Sequence, residues 1–117
     1  MASVDDVRRI SLALPGAEEV LTWGEHPTFR VRGRIFAIAG HEPDRVSIKA
    51  TPEVQSDLID LDPETYSIAS HVGRYGWVAV ALERIEPELV RPLLVEAWRM
   101  TAPRKLLREV SEARPVA

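Results

Sequence analysis

Apolar positions at the start of the chain recur with the period of a helix, at Val4, Val7, Ile10 and Leu14. Ser3, followed three residues later by Asp6, resembles a capping arrangement, with Asp in place of the usual Glu. Pro15-Gly16 is a stop signal for a helix. The pattern therefore predicts a first helix over about residues 3–14.

The period then changes to that of strands. Residues 18–23 form a short strand candidate, and residues 28–31 and 34–39 flank Arg32-Gly33, which indicates a tight hairpin. The pairing through this turn predicts one apolar face, made of Phe29, Val31, Phe36 and Ile38. The same turn requires a positive φ at Arg32, which is unfavourable for a residue with a side chain.

Three further segments, 45–49, 65–69 and 77–82, are typical of strands, the second of them at an edge. The turn between the last two is predicted at residues 73–76. The connections between the predicted strands are short, and short connections favour antiparallel pairing. We expect an α+β domain, with helices on one face of an antiparallel sheet.

Proline positions mark the two later helices. Thr51-Pro52 is a helix start, with the hydroxyl at the N-cap and proline at N1. This second helix is expected to bury Val54, Leu58 and Leu61. Pro92 is expected to delay the regular part of the last helix until about Val90, because proline breaks helix interiors. A break or kink is predicted at 101–103.

Composition is consistent with one soluble domain. The chain has 117 residues, of which 45% are hydrophobic, and it has no cysteine. We expect a single domain over residues 1–112 and a frayed tail over 113–117. No apolar run approaches a membrane span and no signal peptide is visible, so a cytoplasmic location without membrane contact is the expectation.

Charge is unevenly distributed along the chain. The net charge of −3 argues against a uniformly basic nucleic-acid binder. Residues 26–49 and 97–117 nevertheless each carry a net charge of +3, whereas residues 50–66 carry five acids and no base. Two basic segments are therefore possible binding surfaces, provided that the fold brings them together.

Signatures of catalysis and of metal binding are lacking in the sequence. His26, His41 and His71 have no metal-ligand spacing, and no phosphate-binding glycine loop or nucleophile elbow occurs. We therefore expect a protein that is not an enzyme and that has no metal and no cofactor.

Arginines crowd the predicted hairpin, at positions 30, 32 and 34. Such a ribbon can contact phosphates, although a charged edge that prevents aggregation is the commoner explanation. The basic residues at 99, 104, 105 and 108 also have a structural explanation, because cations near a helix C-terminus interact favourably with the helix dipole. Of the three tryptophans, Trp98 is expected to pack in the core, and Trp77, after a glycine turn, is expected to be exposed or to line a pocket.

Several motifs, in order and spacing, resemble the MmcQ/YjbR family over about residues 4–108. They are Leu14-Pro15-Gly16, Trp23-Gly24, the runs 27–31 and 33–37, Ser47-Ile48-Lys49-Ala50, the run 71–78, Ala97-Trp98-Arg99 and the run 102–106. The resemblance implies a CyaY-like, or double-wing, α+β fold. It also implies DNA binding, through the similarity of that fold to double-wing transcription factors.

Two hypotheses about binding follow. A third, that the protein is an enzyme, has no sequence signature to support it. In the first, a basic β-hairpin wing binds DNA through Arg30, Arg32, Arg34, Lys49, Arg74 and Trp77. In the second, the protein is a regulatory or binding domain for a small anionic ligand, with a pocket formed by Lys49, His71, Arg74 and Trp77. The oligomeric state cannot be inferred from the sequence.

Overall fold

In the part of the chain that the structure describes, four α-helices and a six-stranded antiparallel sheet make up the fold. The computed structural model describes residues 1–22, 26–39 and 44–113, without the side chains of 111–113. The helices are α1 (Val4–Leu12), α2 (Pro52–Leu61), α3 (Pro87–Thr101) and α4 (Arg104–Ala113). The strands are β1 (Ala17–Thr22), β2 (His26–Val31), β3 (Arg34–Ala39), β4 (Arg45–Ile48), β5 (Tyr66–Ile68) and β6 (Val78–Ala81). The predicted α+β class is confirmed.

The sheet has the strand order β1-β2-β3-β4-β6-β5, and every neighbouring pair is antiparallel. Three features therefore lie at one end of it, which we call the hairpin end. They are the β2–β3 turn at Arg32-Gly33, the residue after β4, Lys49, and the connection from β5 to β6. The opposite end, which we call the far end, holds Asp44, Asp62 and the start of α3.

The core lies between one face of the sheet and helices α1 and α3. Phe29, Val46, Ile48 and Val80 from that face are at most 1% exposed. Val7 and Ile10 of α1 and Val90 and Leu94 of α3 are equally buried, and join the strand residues in one cluster. The other face carries half-exposed residues, among them Ile35, Ile38, Ser47 and Ala79.

A β-bulge changes the predicted register of the hairpin. Val31 pairs with Arg34 and Arg30 with Ile35, as predicted, but Phe29 then pairs with Ala37 and Thr28 with Ile38. The prediction that Ile38 shares the apolar face with Phe29 was therefore wrong. The extra residue at the bulge shifts β3 by one position and turns Ile38 to the other face, whereas Phe36 remains fully buried.

The first two helices begin where the sequence predicted. Ser3 and Asp6 form the capping box of α1, and the Thr51 side chain accepts a hydrogen bond from the backbone of Val54 at the start of α2. The expected buried side of α2 was right for Leu58 and wrong for Val54 and Leu61. Leu58 packs against the core together with Ile59, while Val54 and Leu61 are 43% and 76% exposed.

The last helical region also differs from the prediction. Helix α3 begins at Pro87 and continues through Pro92, so the delay to Val90 was wrong. Pro92 is exposed near the N-terminal end, where its missing N–H removes one hydrogen bond without opening the core. The predicted break is confirmed, because α3 ends at Thr101 and α4 starts at Arg104.

Two remaining expectations concern the ends of the chain and membranes. Helix α4 includes Ala113, and the rest of the predicted tail lies outside the described residues. Within the described ranges, no helix has the length and apolar character needed to cross a membrane.

Candidate functional site

Basic residues from three separate segments lie at the hairpin end. Arg32 and Arg34 flank the β2–β3 turn, Lys49 follows β4, and Arg74 lies in the β5–β6 connection. The last turns of α3 reach the same end, since Met100 lines a groove together with Lys49. The antiparallel topology thus gathers residues that are up to 42 positions apart in the sequence, from Arg32 to Arg74.

The hairpin tip presents two exposed arginines. Arg32 has a φ of 51° and Gly33 a φ of 79°, so both central residues of the turn have the positive φ of a type I′ hairpin. The unfavourable conformation predicted for Arg32 is therefore present. The chain reverses direction at this turn, and Arg32 and Arg34 are both exposed to solvent there.

Arg30 is held in place beside the tip by threonine hydroxyls. Its Nε donates to Thr28 Oγ1 at 3.0 Å and its Nη2 donates to Thr22 Oγ1 at 2.9 Å. Its Nη1 reaches the Gly33 carbonyl oxygen at 3.5 Å. Thr28 in turn donates to the Val20 carbonyl oxygen at 2.7 Å. The guanidinium therefore braces β1, β2 and the turn, and it retains further N–H groups for a ligand.

The second turn, Gly73–Tyr75, is a short 3-10 helix that carries Arg74 outward. The Arg74 Nη2 donates to the Tyr75 hydroxyl at 2.8 Å, and its guanidinium carbon lies 4.9 Å from the centre of the Tyr75 ring. The Gln55 side chain of α2 donates to the carbonyl oxygens of Gly73 and Trp77 at 2.8 and 2.6 Å. These contacts fix the turn, and hence Arg74, relative to α2.

Trp77 does not have the exposure that the sequence suggested. It is only 9% exposed, so the expectation of an exposed tryptophan was wrong, and its ring is not open to stacking in this conformation. The glycine-rich turn before it packs against the start of α2, where Gly76 lies next to Thr51 and Pro52. Trp98 is buried as expected, and its Nε1 donates to the Pro15 carbonyl oxygen at 2.8 Å. Trp23 lies outside the described residues.

The four residues of the alternative ligand pocket are only partly brought together. Lys49 lines a groove of about 170 Å³ between α2 and α3, together with Thr51, Val54, Leu93, Glu96 and Met100. The lining of this groove does not include His71, Arg74 or Trp77. His71 is exposed, with a φ of 64°, in the β5–β6 connection. The four-residue pocket stays a prediction.

Acidic residues gather at the far end. The loops there contribute Asp44, Asp62, Glu64, Glu83 and Glu86. Arg84 is also at this end and pairs with Glu64 at 2.9 Å. The hairpin end also carries acids: Glu18 lies opposite Arg30 in the β1–β2 register, Glu53 is in the first turn of α2, and Glu96 lines a groove together with Lys49. Acids predominate in the described loops of the far end, whereas both signs of charge are present at the hairpin end.

Two pKa shifts also belong to the far end. The hydrogen bond from Thr65 Oγ1, at 2.5 Å, holds the pKa of Asp62 below its usual value. Burial raises the pKa of the Tyr66 hydroxyl. In the part of the chain that the structure describes, no group of three or more potential ligands has the arrangement of a metal site.

Two residues that shape these surfaces were missed in the sequence analysis. Gln55 anchors the second turn, and Arg45 donates to Ser67 Oγ at 3.3 Å across the half-exposed sheet face. A shallow cavity of about 50 Å³ lies beside Arg45, Ser47 and Ala79. In the alternating segment 45–49, Arg45 and the core residue Val46 point to opposite faces of the sheet, so the pattern could have assigned Arg45 to the half-exposed face. No sequence pattern indicates the role of Gln55.

Comparisons with known proteins agree with the fold. The YjbR family model matches residues 12–100. The chain is 34% identical to the uncharacterised proteins Rv2570 of Mycobacterium tuberculosis and Mb2600 of Mycobacterium bovis, over 92% of this chain and 94% of each relative. It is also similar to the crystal structure of Deinococcus radiodurans protein DR2400, a DUF419 domain, with 25% identity and a TM-score of 0.81. That match covers 95% of this chain and 89% of the other.

Proposed function

Since this chain belongs to the YjbR family, with the family's fold, we propose that it is a DNA-binding protein that uses the hairpin end as its contact surface. The family resemblance and the local basic charge motivate the proposal. No enzymatic step is part of it. The observation that carries it is the position of Arg32, Arg34, Lys49 and Arg74 at the same end of the sheet.

The charge distribution supports an oriented approach to DNA. A polyanion is attracted by the cations of the hairpin end and repelled by the carboxylates of the far end. The domain therefore meets the duplex with its hairpin forward, although its net charge is negative. Phosphate contacts of this kind supply affinity that does not depend on base sequence.

Each basic residue has a distinct part in this proposal. Arg32 and Arg34 at the hairpin tip make the first phosphate contacts, because they project from the turn into solvent. Arg74 reaches a second phosphate, with Tyr75 holding its guanidinium in place. Lys49 lies between the two turns along the sheet end. Arg30 contributes through the N–H groups that its threonine partners leave unused.

A fluorescence-polarisation titration with a labelled DNA duplex at about 50 mM salt tests the proposal. The informative variant is Arg32→Gln with Arg34→Gln, which removes two charges at the hairpin tip. The matched control is Arg84→Gln with Arg91→Gln, which removes two charges from exposed residues of the far end and the first half of α3. Both double variants have the same net charge, so only position distinguishes them.

The proposal expects the hairpin variant to bind about tenfold more weakly and the control to bind within about twofold of the native protein. Equal losses in both variants would mean that net charge, rather than the hairpin end, governs binding. A native protein that does not bind the duplex at this salt concentration would refute the proposal itself. Circular dichroism of all variants establishes that the fold is intact.

A further inference from the structure

An apolar groove opens between the start of α2, the second half of α3, the last residue of β4 and the first residue of β6. Its volume is about 170 Å³, and Ile48 and Val78 of the sheet form part of its lining. Val54 and Met100, which also line it, are 43% and 40% exposed although both are apolar. Helix α2 contains no fully buried residue. The packing of α2 therefore leaves apolar surface open to solvent at this place.

One cation lies among these apolar residues. Lys49 is half-buried and lines the groove, with its backbone fixed by a hydrogen bond from its N–H to the Phe36 carbonyl oxygen at 3.0 Å. Within the described residues, no hydrogen bond or ion pair engages its ammonium group. An ammonium group in such surroundings attracts an anion more strongly than one in open water does.

The start of α2 adds to this positive character. Thr51 caps the helix and lines the groove, so the positive end of the helix dipole adjoins Lys49. Glu96 is the acid of the lining, but its carboxylate is paired with Arg99 at 3.4 Å and its side chain is 62% exposed. Glu53, in the first turn of α2, is exposed and is not part of the lining. The balance among the lining residues therefore favours one negative charge on a molecule that is otherwise apolar.

We propose that this groove binds a small monocarboxylate with an apolar body about the size of a benzene ring. A cavity of about 150 Å³ accepts benzene, so the groove has sufficient volume for such a body. The carboxylate contacts Lys49 and the start of α2, and the body packs against Val54, Leu93 and Met100. This proposal goes beyond DNA binding and does not depend on it.

The test uses benzoate as the probe and benzamide as its neutral analogue of the same shape, in NMR titrations of the full-length protein. Benzoate is expected to bind with a Kd of about 1 mM and benzamide about tenfold more weakly. The shifted amide signals should include those of Val54, Leu93 and Met100. Equal affinity for both compounds, or shifts confined to other residues, would overturn the assignment.

Three variants make the test specific. Lys49→Met keeps the apolar stem and is expected to lower benzoate affinity about tenfold while leaving benzamide unchanged. Lys105→Met, an exposed residue of α4, removes the same charge and should have no effect. Val54→Trp fills the groove and should abolish binding of both compounds. Native-like benzoate binding by either the Lys49 or the Val54 variant would refute the proposed site.

Discussion

Gly76 joins the second turn to α2, and its replacement by alanine tests how tightly the two are packed. Gly76 has a φ of 99°, a conformation that alanine adopts at a cost of about 1–2 kcal/mol. A Cβ at this position would lie 2.6 Å from Thr51 C and 2.6 Å from Pro52 N. Ordinary contacts begin at 3.4 Å, so the turn and α2 would have to separate by about 0.8 Å.

The contacted atoms belong to the backbone and cannot rotate away. Overpacking of this kind costs about 1–3 kcal/mol, which gives a total loss of about 2–5 kcal/mol for Gly76→Ala. Gly33→Ala is the matched control, because its φ is 79° but nothing lies within 4 Å of the added Cβ. The reduced entropy of the unfolded chain affects both variants similarly and cancels in the comparison.

Urea and thermal unfolding of the two glycine variants measure the difference directly. Gly76→Ala should be less stable than Gly33→Ala by about 2 kcal/mol, or roughly 8 °C in Tm for a domain of this size. Free energies of unfolding within about 0.5 kcal/mol of each other would refute the close packing of the turn on α2.

Three further predictions concern the support of the fold. Trp98→Phe should lower the free energy of unfolding by about 1–2 kcal/mol in urea denaturation, because the Pro15 carbonyl oxygen loses its indole donor. Ser11→Ala should keep or raise Tm, since the fully buried Ser11 hydroxyl has no hydrogen-bond partner among the described residues. The lowered pKa of Asp62 stabilises the fold above the carboxyl's unfolded pKa, and this contribution is lost as pH falls through its folded pKa. When Tm is measured over a range of pH, it should therefore fall less on acidification for Asp62→Asn than for the native protein. Equal decreases in Tm would contradict a stabilising role of the Asp62 carboxylate.

Local signals were sufficient for much of the fold. Capping residues identified the starts of α1 and α2, because a side-chain acceptor before a helix satisfies a specific backbone N–H. The Arg32-Gly33 turn and its first two residue pairs also follow from sequence, since a two-residue loop fixes the pairing next to it. These features depend on neighbours within a few positions.

Features that depend on tertiary contacts were missed. The bulge in β3 is not visible in the alternation of residues 34–39, because Phe36 and Ala37 are both buried. Pro92 is tolerated in α3 because it lies near the helix start and faces solvent, which the pattern alone did not indicate. Trp77 is buried in the folded chain, and its carbonyl oxygen accepts a hydrogen bond from Gln55, which lies 22 positions earlier in the sequence.

The candidate site was predictable in its residues but not in its arrangement. The sequence identified Arg32, Arg34, Lys49 and Arg74 as basic residues near turns or strand ends. Their common location depends on the strand order, in which β6 lies between β4 and β5. That order follows from long-range pairing, for which one sequence carries no local signal.

The salt dependence of DNA binding tests the central claim most directly. Five phosphate contacts, from Arg30, Arg32, Arg34, Lys49 and Arg74, predict a slope of about −4.5 for log K against log salt concentration. The Arg32→Gln, Arg34→Gln double variant should reduce the slope to about −2.7, and the Arg84→Gln, Arg91→Gln control should keep the native value. A slope near zero for the native protein, or an unchanged slope in the hairpin variant, would contradict DNA binding through the hairpin end.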